Sequence, residues 1–233
     1  MAPDASAGRA PLRIVPLTGE TWDALAALFR EGGDPRWCWC QHWRLRAKDF
    51  AALRVPQLRE RLHDQAEAAS GPGAAAEPPG LVALEREADG AERAVGWVSL
   101  GPRASFERIE RSKVIPRIDG RPVWSIVCFA VSASARDRGI GSALLEAAVA
   151  FARDRGATAV EAYPVVVEAG EPVTAEAAFT GTLPMFERAG FAVVADRASD
   201  PSSRHRRVVV RRDLGAAVSR GRGPAAGARD SRR

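Results

Sequence analysis

Residues 123–167 read VWSIVCFAVSASARDRGIGSALLEAAVAFARDRGATAVEAYPVVV, and their pattern decides the fold. Val123 to Val131 is an almost unbroken apolar run rich in β-formers, as a central strand buried on both faces requires. A polar turn, Ser132 to Arg138, follows. Ile140, Ala143, Leu144, Ala147, Ala148 and Phe151 then recur at helical spacing, which predicts an amphipathic helix of about three turns. Arg153 and Arg155 favour the negative end of that helix, and Gly156 is placed to cap it. Ala159 to Val167 returns as a strand. The segment therefore reads as a strand–helix–strand unit with a right-handed crossover.

Upstream, Leu12, Ile14, Val15 and Leu17 predict a first strand. Thr18 and Thr21 are candidate caps for a helix carrying Trp22, Leu25, Ala26, Leu28 and Phe29. Pro56 is suited to open a second helix, running to about Ala69. Leu81–Glu87 and Ala94–Leu100 read as strands joined by an Asp89-Gly90 turn, a hairpin signal. Gly101 to Gly120 is polar and reads as a long surface segment. Downstream, Thr182–Ala189 predicts a short helix ended by Gly190. Phe191–Ala195 and Arg207–Arg211 are the last strand candidates.

Composition bounds the rest. The chain has 233 residues, 46% hydrophobic and 27% charged, enough for one domain with a sizeable core. No apolar run approaches the roughly 18 residues of a membrane-spanning helix. No secretory leader pattern opens the sequence, and three cysteines make no disulfide framework, so a cytoplasmic location is expected. The net charge of +5 is uneven: residues 204–233 hold ten arginines against Asp213 and Asp230, while the remainder is slightly acidic. Nucleic-acid binding through that end is one reading, but no aromatic side chain there offers a base-stacking surface. Residues 1–10 and 215–233 are expected to be disordered, leaving 11–214 as one domain.

The chemistry centres on Arg136-Asp137-Arg138-Gly139-Ile140-Gly141-Ser142, which follows the buried strand and opens the helix. A helix start has unpaired N–H groups and a partial positive charge. Gly139 and Gly141 place no side chain before those amides. Arg136 and Arg138 add charge, and Ser142 adds a hydroxyl. The pattern predicts a diphosphate cradle. It lacks the Gly-Lys-Ser/Thr ending of a P-loop, and it lacks the third glycine and distal acid of a dinucleotide fingerprint.

The apolar strand, the R-x-x-G-x-G turn and the downstream MFERAGFAVV together resemble the GNAT (Gcn5-related N-acetyltransferase) superfamily, as a bacterial member. The resemblance implies an α/β fold whose mixed central sheet, of about six or seven strands, splays between its fourth and fifth strands and is flanked by about four helices. It implies acetyl-CoA as donor and a small-molecule or peptide amine as acceptor, in a monomer or homodimer. By position, Arg136, Arg138, Gly139, Gly141 and Ser142 would hold the diphosphate. Phe129 and Val131 would pair with the pantetheine arm, a main-chain amide near Phe129 or Ala130 would polarise the thioester carbonyl, and Phe186 would flank the thiol end. A non-catalytic sensor of acetyl-CoA is the alternative.

Two family positions depart from the pattern. The slot of the frequent glutamate base holds Ser125, and the slot of the frequent tyrosine acid holds Phe186. Tyr163, the only tyrosine in the chain, is a candidate replacement acid. Glu107, Glu110, Glu161 and Glu168 are candidate bases. Trp37, Trp39, His42 and Trp43 cluster where this superfamily builds its acceptor pocket, and aromatic rings there suit an amine. Cys38, Cys40 and His42 lack structural-zinc spacing, so no metal is expected. Cys128, inside an apolar strand, is a weak nucleophile candidate.

Overall fold

The computed structural model describes residues 11–33, 35–74, 76–115, 117–167, 179–196 and 206–215. The disorder expected of residues 1–10 and of the basic tail past Gly215 lies outside the described residues, as does Glu168.

The chain runs β1 (Leu12–Pro16), α1 (Gly19–Arg30), α2 (Pro35–Cys38), α3 (Ala47–Ala51), α4 (Val55–Ala68), β2 (Gly80–Arg86), β3 (Glu92–Pro102), α5 (Glu107–Glu110) and β4 (Trp124–Val131). It continues through α6 (Ile140–Asp154), β5 (Ala159–Ala162), α7 (Leu183–Arg188), β6 (Ala192–Asp196) and β7 (Val208–Asp213). The seven strands form one mixed sheet in the order β1-β2-β3-β4-β5-β7-β6. Every neighbouring pair is antiparallel except β4–β5, which is parallel. Among the described residues no helix is long and apolar enough to cross a membrane.

Local chemistry explains the element ends. Thr21 Oγ1 accepts the Thr18 N–H at 3.0 Å, closing the first turn of α1. The β2–β3 hairpin turns at Asp89-Gly90, where Asp89 Oδ1 accepts the Ala91 N–H at 2.9 Å. Pro56 sits in the first turn of α4, where a missing N–H costs nothing.

α6 covers one face of the sheet. Its Leu144, Leu145, Ala148 and Val149 are buried against Val95, Val98, Leu100 and Ile126, each leucine contributing roughly 2 kcal/mol. The approach is close because β3 carries a glycine: a Cβ on Gly96 would lie 2.7 Å from Ile140 Cγ2 and 2.9 Å from Leu144 Cδ1. α1, α4 and α5 cover the other face, packing Trp22, Leu25, Phe29, Leu62 and Ile109 over Trp97 and Val127.

Three expectations change. The segment 101–120 is not a surface excursion: β3 extends to Pro102, and Arg103, Phe106, Ile109 and Ile115 are all buried. Its apolar residues fall at wide spacing among charges, so the burial is invisible to periodicity. β5 ends at Ala162, short of Val167, and Val165 makes only isolated bridges to Thr182 and Arg207. α6 has 15 residues, a turn more than its apolar stripe indicated.

Candidate active site at the strand splay

β4 carries one extra residue. Ser99 faces Cys128 and Leu100 faces Ile126, so Val127 has no partner on β3 and forms a bulge. Val127 and Cys128 consequently both pack toward the α1 side, and Phe129 packs toward the α6 side. β4 and β5 pair only at Trp124–Val160, Ser125–Glu161 and Ile126–Ala162, and then part. This is the splay. Phe129 and Val131 present their main-chain groups to it, since alternate residues of a strand face the same edge.

A short strap, Phe179 to Leu183, crosses the splay. The Phe129 N–H donates to Phe179 O at 2.6 Å, Val165 N–H to Gly181 O at 3.0 Å, and Leu183 N–H to Val165 O at 2.9 Å. The amide expected to meet a donor substrate is thus already engaged by the chain itself. Phe186 lies fully buried below, its ring centroid 6.2 Å from that of Phe129 and 5.1 Å from that of Phe191. It belongs to the α6-side core.

The R-x-x-G-x-G turn leads from β4 into α6. Gly139 caps the helix at φ 78°, a left-handed conformation that favours glycine. The first helical bond is Ala143 N–H to Gly139 O at 3.0 Å, so the amides of Ile140, Gly141 and Ser142 precede the ladder. A Cβ on Gly139 would meet nothing within 4 Å, and one on Gly141 would touch only Met185 Sδ at 3.6 Å. Gly139 and Ser142 are exposed, so the amides open onto space that an anion can fill. The two arginines differ. Arg136 is exposed, whereas Arg138 is ion-paired with Glu85 on β2.

On the α1 side, a buried polar network ties the two strands where they part. The Tyr163 hydroxyl, fully buried, lies 2.9 Å from both Ser125 Oγ and Arg103 Nη1. Arg103 also donates to Glu161 Oε2, Glu110 Oε1 and Ile115 O, each at 2.9 Å. Arg211 closes the network, donating to Glu161 Oε1 at 2.7 Å and to Asp119 Oδ2 at 2.5 Å. Burial pushes the Tyr163 hydroxyl well above its usual pKa, so it holds its proton. The hydrogen bond from Arg211 lowers the Asp119 carboxyl. Of the candidate bases, Glu161 and Glu110 are paired with arginines, and exposed Glu107 lies 3.5 Å from Arg46. Sequence reading missed Arg103 and Arg211 because charged residues default to the surface; Phe106 and Ile109 beside Arg103 were the available signal.

The four aromatic candidates do not form one wall. Trp37 is 58% exposed on α2, with the Arg36 guanidinium 4.6 Å from its ring. Trp39 is buried between Trp22 and Phe29, at 5.8 and 5.4 Å. His42 and Trp43 do meet, with centroids 4.9 Å apart, and share a corner with Phe50 and Arg108. Burial, and then the Arg108 charge, hold the His42 pKa down at about 4, so the ring is neutral near pH 7. Arg44 lies over the Phe106 ring, and burial lowers its pKa to about 10. Among the described residues, four buried side-chain nitrogens lack a hydrogen-bond partner: Trp39 Nε1, Trp43 Nε1, Arg44 Nε and Arg108 Nε. All are donors. A surface cleft of about 590 Å³ lies elsewhere, between β1 and α1, lined by Arg13, Thr18, Asp23 and Glu92.

No curated protein matches the chain. Solved structures do, at low identity. One from Corynebacterium glutamicum, described as histone acetyltransferase HPA2 and related acetyltransferase, is 21% identical over 86% of this chain and 94% of that one, with a TM-score of 0.45. A GCN5-related N-acetyltransferase from Kribbella flavida is 19% identical over 87% and 98%, with a TM-score of 0.46. The PaiA N-acetyltransferase from Thermoplasma acidophilum, in complex with coenzyme A, is 15% identical over 87% and 99%, with a TM-score of 0.47. The decisive match is to the family: the model of the acetyltransferase (GNAT) family covers residues 42–191, from His42 through the splay and the α6 turn to Phe191, and the chain belongs to that family.

Proposed function

We propose that this chain is an N-acetyltransferase that moves an acetyl group from acetyl-CoA to an amine by direct attack in a ternary complex. The observation that carries the proposal is the continuity of one strand edge with one helix start. The edge at Phe129 and Val131 leads through one turn, with Gly139 exposed in it, to the unladdered amides of half-buried Gly141 and exposed Ser142. An extended arm that ends in a diphosphate matches that edge in shape and charge.

In this reading, acetyl-CoA supplies the activated thioester. The chain's own groups do the rest. The Ile140, Gly141 and Ser142 amides, with Arg136, hold the diphosphate. The Phe129 amide, once released from Phe179, is the donor that stabilises negative charge on the carbonyl oxygen. Val131 aligns the arm. Phe129 and Phe186 wall the splay on the α6 side. Neither slot usual for acid and base holds such a group, so positioning of amine and thioester supplies most of the rate. Tyr163 and Ser125 set the angle at which β4 and β5 part, and Tyr163 is a buried hydroxyl at that point that could protonate a departing thiolate.

The acceptor would enter from the α1 side, past His42 and Trp43. The unpaired donors there suit an amine that also carries carboxylate or carbonyl oxygens. The same reading gives a monomer or homodimer in a bacterial cytoplasm.

The test is Gly139→Glu and Gly141→Glu, titrated with acetyl-CoA by calorimetry. Both should lose binding while circular dichroism shows an intact fold; unchanged affinity would remove the cradle. A sensor reading is favoured by one observation, the engagement of the Phe129 amide by Phe179. Thiol release with any member of a broad amine panel rejects it.

A further inference from the structure

The chain has three cysteines, and the fold brings all of them to one place. Cys40 Sγ lies 3.9 Å from Cys128 Sγ, although 88 residues separate them, and both are buried. The Trp97 indole N–H donates to Cys40 Sγ at 3.1 Å, fixing that sulfur in position. Cys38, half-buried, also hydrogen-bonds the Cys40 thiol. Cys40 is thus in contact with both of the other thiols, of which Cys38 is the less buried.

The backbone around Cys40 is unusual. Trp39 and Cys40 take φ values of 44° and 52°, two successive non-glycine residues in the left-handed region. This is an unfavourable way to turn a corner. Here it turns the Cys40 side chain inward, onto the strand. On the other side, the Val127 bulge puts Cys128 on the α1 face of β4 rather than the α6 face. Two separate irregularities are needed to make the two sulfurs meet.

We propose that Cys40 and Cys128 form a reversible disulfide, with Cys38 as the thiol through which a small-molecule disulfide enters. Cys38, as thiolate, attacks one sulfur of the oxidant, forms a mixed disulfide and releases one thiolate. Cys40 loses its proton, attacks the Cys38 sulfur and releases the second thiolate. Cys128 then loses its proton, attacks the Cys40 sulfur and expels Cys38, which regains a proton. The protein loses two electrons and two protons, and the oxidant becomes two thiols. The last exchange is downhill because a Cys-x-Cys link closes a strained ring, whereas Cys40 and Cys128 are already in contact. The hydrogen bond with Cys128, and burial, hold the Cys40 thiol well above its usual pKa, which is why the less buried neighbour is the entry point. The link ties the segment bearing Trp39, His42 and Trp43 to the strand that carries the Phe129 amide. It forms or fails independently of acetyl transfer.

The test uses the full chain in glutathione buffers of increasing oxidised fraction, quenched by acid and alkylated. Intact mass should show the loss of two hydrogens, reversed by dithiothreitol. Tandem mass spectrometry should place the link between the peptides containing Cys40 and Cys128. Cys38→Ser should keep that link but form it at least roughly fivefold more slowly, and Cys128→Ala should stop at a Cys38–Cys40 link or a glutathione adduct. Three alkylatable thiols at every poise, or a Cys38–Cys40 link as the end product in the unaltered chain, would overturn the proposal. Link formation in Cys38→Ser at an unchanged rate would remove Cys38 from it.

Discussion

The main-chain N–H of Phe129 donates to the carbonyl oxygen of Phe179 at 2.6 Å, so the strap occupies the group that the proposed reaction assigns to the donor substrate. A strand edge can serve one acceptor at a time. Coenzyme A binding is therefore expected to loosen the strap: amide hydrogen exchange over 179–183 should accelerate roughly threefold or more, while peptides over 144–152 keep their protection. Unchanged exchange in the strap would mean that the donor binds without using Phe129.

The network around Tyr163 gives a second expectation. Arg103 is 3% exposed and Glu161 1% exposed, so their pair is dry. Arg103→Met should destabilise the fold by about 3 kcal/mol in urea unfolding, because buried carboxylate is left under-paired. Tyr163→Phe removes one hydroxyl from two partners and should cost about 1–2 kcal/mol. Its kcat should fall by less than about tenfold, short of the ~10²–10⁴-fold expected for losing a general acid or base. A larger loss of kcat at unchanged stability would make Tyr163 the acid.

His42 makes stability depend on acid. Its folded pKa is about 4 against an ordinary 6.5, so between those values the unfolded chain binds a proton that the folded chain refuses. Stability must then rise with pH across that window and be lost as pH falls through it, by about 3 kcal/mol in all. Urea unfolding at pH 7 and pH 4.5 measures it, and His42→Gln should flatten the difference. The Asp119 carboxyl, already below its ordinary 3.8, loses its contribution only at lower pH still.

The arginines of the proposed cradle should not be equivalent. Arg138 is already ion-paired with Glu85, while Arg136, four residues before α6, is exposed. Arg136→Ala should weaken acetyl-CoA binding by roughly fivefold, with a smaller salt dependence afterwards. Arg138→Ala should weaken it less. The reverse order in calorimetry would mean that the Glu85 pair opens when the donor binds.

The fold was legible where burial wrote a period into the chain. Val123–Val131 is buried on both faces and reads as a continuous apolar run. Ile140 to Phe151 faces the sheet on one side only and reads as a stripe. The glycines of the α6 turn were legible because a missing side chain is itself the signal. Of the site's polar interior, Ser125, Tyr163 and Glu161 were legible as candidates, but their arginine partners were not. Arg103 and Arg211 are balanced by Glu161, Glu110 and Asp119 from separate stretches of chain, and no local pattern records a partner 58 residues away. The strap was equally hidden, since its bonds are main-chain and carry no residue signature.

The bulge at Val127 has a consequence for length variation in this strand. Val127 is the extra residue, so removing it joins Ile126 to Cys128 and restores an unbroken ladder with β3 while both keep their faces. Cys128 would stay toward α1, Phe129 toward α6, and the amide that meets the strap would keep its direction. Deleting a residue on either side of the bulge instead shifts the rest of the strand by one and turns it to the opposite face. The bulge is therefore the place where β4 should tolerate a lost codon far better than the strand around it.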